Sequence, residues 1–100
     1  MPIGLVDHFN IVIAPSQVEE TLQFYKDVLG LKEGFRPDFG RPGWWLYADD
    51  HPVLHISLKE IAPTRRGTGS FDHIALNATA LQVFFEDCNG LKIELDYHAA

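Results

Sequence analysis

Val6-Asp-His-Phe-Asn-Ile-Val12 and Phe71-Asp-His-Ile-Ala-Leu-Asn77 are the two stretches that decide the architecture of this 100-residue chain. Both mix apolar and polar residues as half-buried strands do, and both carry Asp-His at their second and third positions, so the chain reads as an internal duplication. Between the copies, Ser16-Gln-Val-Glu19 follows Pro15 and has the spacing of a capping box that opens a helix. Val18, Leu22, Tyr25, Val28 and Leu29 then recur at helical spacing, and Gly30 supplies a left-handed stop. This sets the helix at about residues 17–29. Leu31 to Phe35 reads as a short strand and Arg36 to Gly43 as a loop. Trp44 to Ala48 and Val53 to Leu58 read as a hairpin around Asp49-Asp-His-Pro52. The first module, about residues 1–60, is therefore βαβββ; residues 61–70, with Pro63, Gly67 and Gly69, are the linker, and the second module covers about 71–98.

That second module is short. After Phe71 to Ala78 the chain runs through Thr79-Ala80 into Leu81 to Gly90 and Leu91 to Tyr97, which match only the closing hairpin of the first module. His8 and His55 lie 47 positions apart but His73 and Glu94 only 21, a deficit of 26 near the Ala80–Leu81 junction. One helix and one strand account for it. The segment is either deleted from the protein or missing from the sequence as it stands. Deletion predicts that Ile74, Leu76, Ile93 and Leu95 lose their helical cover and need a partner to bury them.

Composition narrows the function. With 46% apolar and 22% charged residues the chain folds as one globular domain. A net charge of −6 has the wrong sign for a phosphate backbone, which argues against nucleic acid. The start lacks a basic and apolar leader, and the longest apolar run, Trp44 to Ala48, is too short to span a membrane. The expected location is cytoplasmic. The lone Cys88 allows no intrachain disulfide and has no cation near it in sequence to activate it.

Strand alternation separates the two faces of each sheet. Phe9, Ile11 and Ile13 share one face of the first strand, leaving His8 and Asn10 on the other. In the same way His55 falls opposite Leu54 and Ile56, His73 opposite Ile74, and Glu94 opposite Ile93 and Leu95. Each of the four could be a residue on a solvated outer face. Together they occupy equivalent places in the two modules, and a pseudo-two-fold arrangement brings them to the centre of one curved sheet. Imidazole and carboxylate ligands without thiolate suit one divalent Zn, Fe, Mn, Co or Ni ion with open coordination positions.

These motifs, with Phe24-Tyr-Lys-Asp-Val-Leu-Gly-Leu31 and Phe84-Phe-Glu-Asp-Cys-Asn-Gly-Leu-Lys-Ile-Glu94, resemble the vicinal oxygen chelate superfamily of glyoxalase I, bleomycin- and fosfomycin-resistance proteins and extradiol dioxygenases. The resemblance implies an α+β fold of paired βαβββ modules forming a curved mixed sheet, here with the second module shortened. It also implies His8, His73 and Glu94 as metal ligands, with His55 at the fourth place as ligand or general base. The implied function is a metal-dependent enzyme binding a small substrate, aromatic or dicarbonyl, through vicinal oxygens, as an isomerase, lyase or ring-cleaving dioxygenase. With His55 bound to metal, isomerisation is favoured; with it free, dioxygenase or thiol-transfer chemistry becomes as good a fit. The implied assembly is a homodimer, with the site inside one chain or across swapped modules. The alternative is a metal-free drug-binding protein of the bleomycin-resistance type.

Trp45, Tyr47 and Arg41 are the expected pocket residues, with Trp44 turned to the core. Arg65-Arg66 and Gly67-Thr-Gly69 read as solvated linker, and His51 and His98 as bystanders.

Overall fold

The strand that organises the first half is His51–Leu58, because its apolar residues Leu54 and Ile56 are both buried and it has neighbours on each side. A computed structural model describes residues 2–60, 73–78 and 83–97. The linker 61–70 with Arg65, Arg66, Gly67 and Gly69, the Ala80–Leu81 junction, and His98 lie outside the described residues. The elements run β1 (Phe9–Ile13), a 3₁₀ turn (Pro15–Gln17), α1 (Val18–Asp27), β2 (Lys32–Gly34), β3 (Gly43–Ala48), β4 (His51–Leu58), β5 (His73–Ala78), β6 (Val83–Glu86) and β7 (Lys92–Tyr97). Contacts divide the chain into two compact units, Met1–Ala62 and Pro63–Ala100.

In the first unit the sheet order is β1-β4-β3-β2. β1 and β4 are parallel, a pairing that needs a long crossover, and the turn, α1, β2 and β3 supply it. β3 is antiparallel to β4, with Trp45 opposite His55 and Trp44 opposite Ile56. Ile13, Tyr25, Leu46, Leu54 and Ile56 are at most 1% exposed. Each such side chain contributes about 1.5–3 kcal/mol by leaving water.

The helix begins differently from the sequence expectation. Ser16 and Glu19 form no capping box; the Gln17 side chain instead accepts from the Ala14 backbone N–H at 2.8 Å, across the 3₁₀ turn that Pro15 opens. The buried residues of α1 are Thr21 and Tyr25, whereas Val28 is 55% exposed, because the helix ends at Asp27, before Val28's turn of the stripe. Gly30 does stop it, at φ 71°, with its N–H on the Lys26 carbonyl at 3.1 Å.

The hairpin is tighter than expected. Ala48 pairs with His51 across the turn residues Asp49 and Asp50, Asp49 takes φ 55°, and His51 and Pro52 belong to β4. Pro52 is tolerated there because the pairing with β1 starts only at Leu54, so no ladder bond needs its N–H.

The second unit holds the sheet β5-β7-β6, with β5 parallel and β6 antiparallel to β7, and no helix among the described residues. The Ala80–Leu81 junction lies outside the described residues, so these three strands are what the structure describes of the shortened module. Its apolar residues are nonetheless covered: Ile93 is 0% exposed and Leu91 6%, while Ile74, Leu76 and Leu95 are half-buried. The Asp87-Cys-Asn-Gly90 stretch turns β6 into β7, with the buried Asp87 carboxylate accepting the Asn89 and Leu91 N–H groups at 2.8 Å each.

Candidate functional site

One face of the first sheet carries a stack of rings. Asn10 and Trp45 flank His55 in register, which places their side chains with those of His8 and Ser57 on the face away from Leu54 and Ile56. The His8 and His55 rings stack at 3.7 Å between centroids, and Trp45 covers His55 from the other side at 4.1 Å with 7° between planes. Phe39, from the loop before β3, leans on Trp45 at 6.2 Å.

The two imidazoles are each held by one nitrogen. His8 Nδ1 bonds the Asp7 carboxylate at 2.7 Å, which orients the ring. His55 is tied to the Pro52 backbone, and its buried Nε2 has no hydrogen-bond partner among the described residues. Metal-binding histidines are commonly fixed in this way, one nitrogen on a carbonyl or carboxylate and the other left to coordinate. Unit 1 thus offers two imidazole donors, His8 and His55, with their rings face to face. Burial, then the neighbouring His8, pushes the His55 pKa below the usual histidine value, and the Arg36 cation adds to the effect. Asp7 is lowered from 3.8, chiefly by its bond to His8.

His51, a bystander in the sequence reading, is in contact with Asp7. Its Nε2 lies 2.6 Å from the Asp7 carbonyl oxygen and 3.4 Å from the Asp7 carboxylate, so Asp7 links both histidines. The only sequence signal for this was Asp7 itself, which stands in the repeated Asp-His pair.

In the second unit His73 Nε2 lies 3.0 Å from Glu94 Oε1, and the Glu94 side chain is 11% exposed. This follows from parallel β5 and β7, where His73 pairs with Lys92 and Ala75 with Glu94. Among the described residues no group of three or more His, Cys, Asp or Glu side chains is gathered for a metal ion.

A cavity of about 380 Å³ opens beside the ring stack, lined by Trp45 and Arg41 as expected, and also by His55, Phe39, Arg36, Asn10, Ser57 and Lys59. Tyr47 is absent from its wall. The Tyr47 hydroxyl donates to the Phe35 carbonyl at 2.6 Å and its ring lies over Gly34, where an added Cβ would meet it at 2.7 Å. β3 pairs with β2 in unbroken register, Trp45 with Gly34 and Tyr47 with Lys32, so Tyr47 keeps Trp45's face but lies over β2, away from the cavity wall.

A family model for the Glyoxalase/Bleomycin resistance protein/Dioxygenase superfamily matches residues 5–94. The chain belongs to this superfamily. Its fold is shared by solved structures at low identity. A glyoxylase/bleomycin resistance protein/dioxygenase domain from Frankia sp. EAN1pec is similar with a TM-score of 0.74 and 12% identity, covering 98% of this chain and 94% of that one. A glyoxalase/dioxygenase from Nostoc punctiforme gives 0.68 and 16%, covering 96% and 92%. TnmS3, an antibiotic binding protein from Streptomyces sp. CB03234, gives 0.64 and 17%, covering 99% of each. Among curated proteins none matches significantly. Superfamily membership thus covers both enzymes and binding proteins, and no helix among the described residues is long and apolar enough to cross a membrane.

Proposed function

We propose that this chain is a divalent-metal-dependent enzyme of the glyoxalase/dioxygenase type, acting in the cytoplasm as a homodimer on a small aromatic or dicarbonyl substrate. The observation that supports it best is His55, whose buried Nε2 is left open while the other side of the ring is tied to Pro52. His8, His73 and Glu94 are the proposed ligands, with His55 as the fourth ligand or the general base. A bound divalent ion supplies Lewis-acid stabilisation of charge on two neighbouring substrate oxygens.

The chain's own residues do the rest. His55, neutral at pH 7 because burial lowers its pKa, accepts a proton at Nε2 without giving up its bond to Pro52. The proton comes from the substrate, whose electron pair stays behind on its oxygens. Asn10 and Ser57, linked at 3.0 Å between Oγ and Oδ1, present hydrogen-bonding groups from the cavity floor. Trp45 and Phe39 keep water off one side. Where His55 serves as the fourth ligand instead, isomerase or lyase chemistry is the better match, and with His55 free, dioxygenase chemistry becomes equally good.

A metal-free binding protein is the second reading, favoured by an aromatic-walled cavity whose described lining residues lie in the first unit and by the likeness to an antibiotic binding protein. Native mass spectrometry of protein purified without chelator separates the two. The enzyme reading expects a metal-loaded species whose ion is lost on His73→Ala or Glu94→Ala. A chain that stays empty when offered Fe²⁺, Mn²⁺, Ni²⁺ or Zn²⁺ makes the binding protein the better account.

A further inference from the structure

We infer that the cavity of the first unit binds a small organic anion, a flat apolar body carrying a carboxylate or phosphoryl group, recognised by Arg36, Arg41 and Lys59. This deepens the small-molecule reading of the same cavity but does not depend on a metal.

The argument is one of charge placement. The chain carries fourteen Asp and Glu against eight Lys and Arg, yet among the described residues three cations line this one cavity and no Asp or Glu does. None of the three cations is in an ion pair with a carboxylate among the described residues. Lys26, which is paired with Glu33 at 2.9 Å, sits elsewhere, on α1 and β2. Three unneutralised cations around one concave site repel each other, and an anion removes that repulsion.

Arg36 is fixed before any ligand arrives. Its Nη1 donates to the Arg41 carbonyl at 3.1 Å, its guanidinium sits 4.9 Å above the Phe39 ring, and it packs over Gly43, where a Cβ would come within 2.7 Å of Nη2. A planar cation held in place loses little freedom on binding and matches the geometry of a carboxylate or phosphoryl group. Arg41 and Lys59 are exposed and supply mobile charge, while Trp45 and Phe39 give the apolar wall. A volume of about 380 Å³ suits a ligand of one or two rings.

Chemical-shift titration of ¹⁵N-labelled protein in EDTA tests this with benzoate, phenylphosphonate and neutral benzamide as probes. The expected result is that benzoate or phenylphosphonate shifts Ser57, His55 and the Arg36 side chain, and binds about tenfold more tightly than benzamide. The stronger of the two anions identifies the headgroup. Arg41→Gln and Arg36→Gln should each weaken that anion about five- to tenfold. Lys59→Gln, an exposed site that leaves folding intact, should weaken it severalfold and flatten its salt dependence. Benzamide binding as tightly as both anions, or no loss in Lys59→Gln and Arg41→Gln, overturns the proposal. So does anion binding that appears only when metal replaces EDTA, whereas an empty metal site with anion binding intact overturns only the metal reading.

Discussion

At the scale of single residues, His55 is where several requirements meet. It is stacked between His8 and Trp45, its ring is tied to the Pro52 backbone, and its pKa lies below the usual value because burial disfavours the charged ring. The consequence for stability has a definite sign. Below about pH 6.5 the unfolded chain protonates this histidine while the folded one resists. The unfolded state then binds more protons, so stability is complete above that pH and falls as pH drops through the lowered folded value. In EDTA, the urea midpoint of the native protein should fall more between about pH 7.5 and pH 5 than that of His55→Gln. Equal falls would place the ring in water. Asp7 does not disturb this comparison, because its pKa is lowered from 3.8 and its effect is lost only under more acid conditions.

At the scale of elements, β4 is the strand the first unit is built on and Gly30 is the residue that ends its helix. Leu54 is fully buried on β4, so Leu54→Ala should cost about 2–5 kcal/mol by losing transfer energy and opening a cavity. Gly30 has φ 71° but nothing within 4 Å of an added Cβ, so Gly30→Ala should cost only about 1 kcal/mol, from backbone strain alone. Denaturant melts of the two variants check the ordering. The strands and this helix stop were legible in the sequence because alternation and a C-terminal glycine are local signals. The helix start was not: Ser16 and Glu19 have the spacing of a capping box, but Pro15 opens a 3₁₀ turn first and Gln17 satisfies the free N–H of Ala14 instead. The place of Tyr47 was hidden likewise, since its bond to the Phe35 carbonyl holds it over Gly34 on the β2 side of the sheet, away from the cavity.

At the scale of the molecule, the chain is a superfamily member whose second unit has three described strands and no described helix. The proposed homodimer carries its own prediction. If the fold is completed by association, the melting temperature should rise by several degrees over a hundredfold increase in protein concentration. A concentration-independent transition would mark the single chain as self-sufficient. The sequence also led to an expectation of apolar residues left bare by the shortened module. Burial of Ile93 overturns it for that position, because burial is set by everything near a strand in space and not by the presence of one covering helix.

The sequence by itself determined the duplicated strands, the αβ order of the first unit, the shortened second unit and the family, because periodicity, glycine stops and repeated motifs are encoded by neighbours along the chain. It also singled out His8, His55, His73, Glu94, Trp45 and Arg41. Only the tertiary structure decided that Asp7 links His8 and His51, that His55 has one nitrogen tied and one open, and that Arg36 and Lys59 join Arg41 around one cavity. Those facts depend on strands pairing across tens of residues. Which side chains then share a space is fixed by register, a property no local stretch of sequence contains.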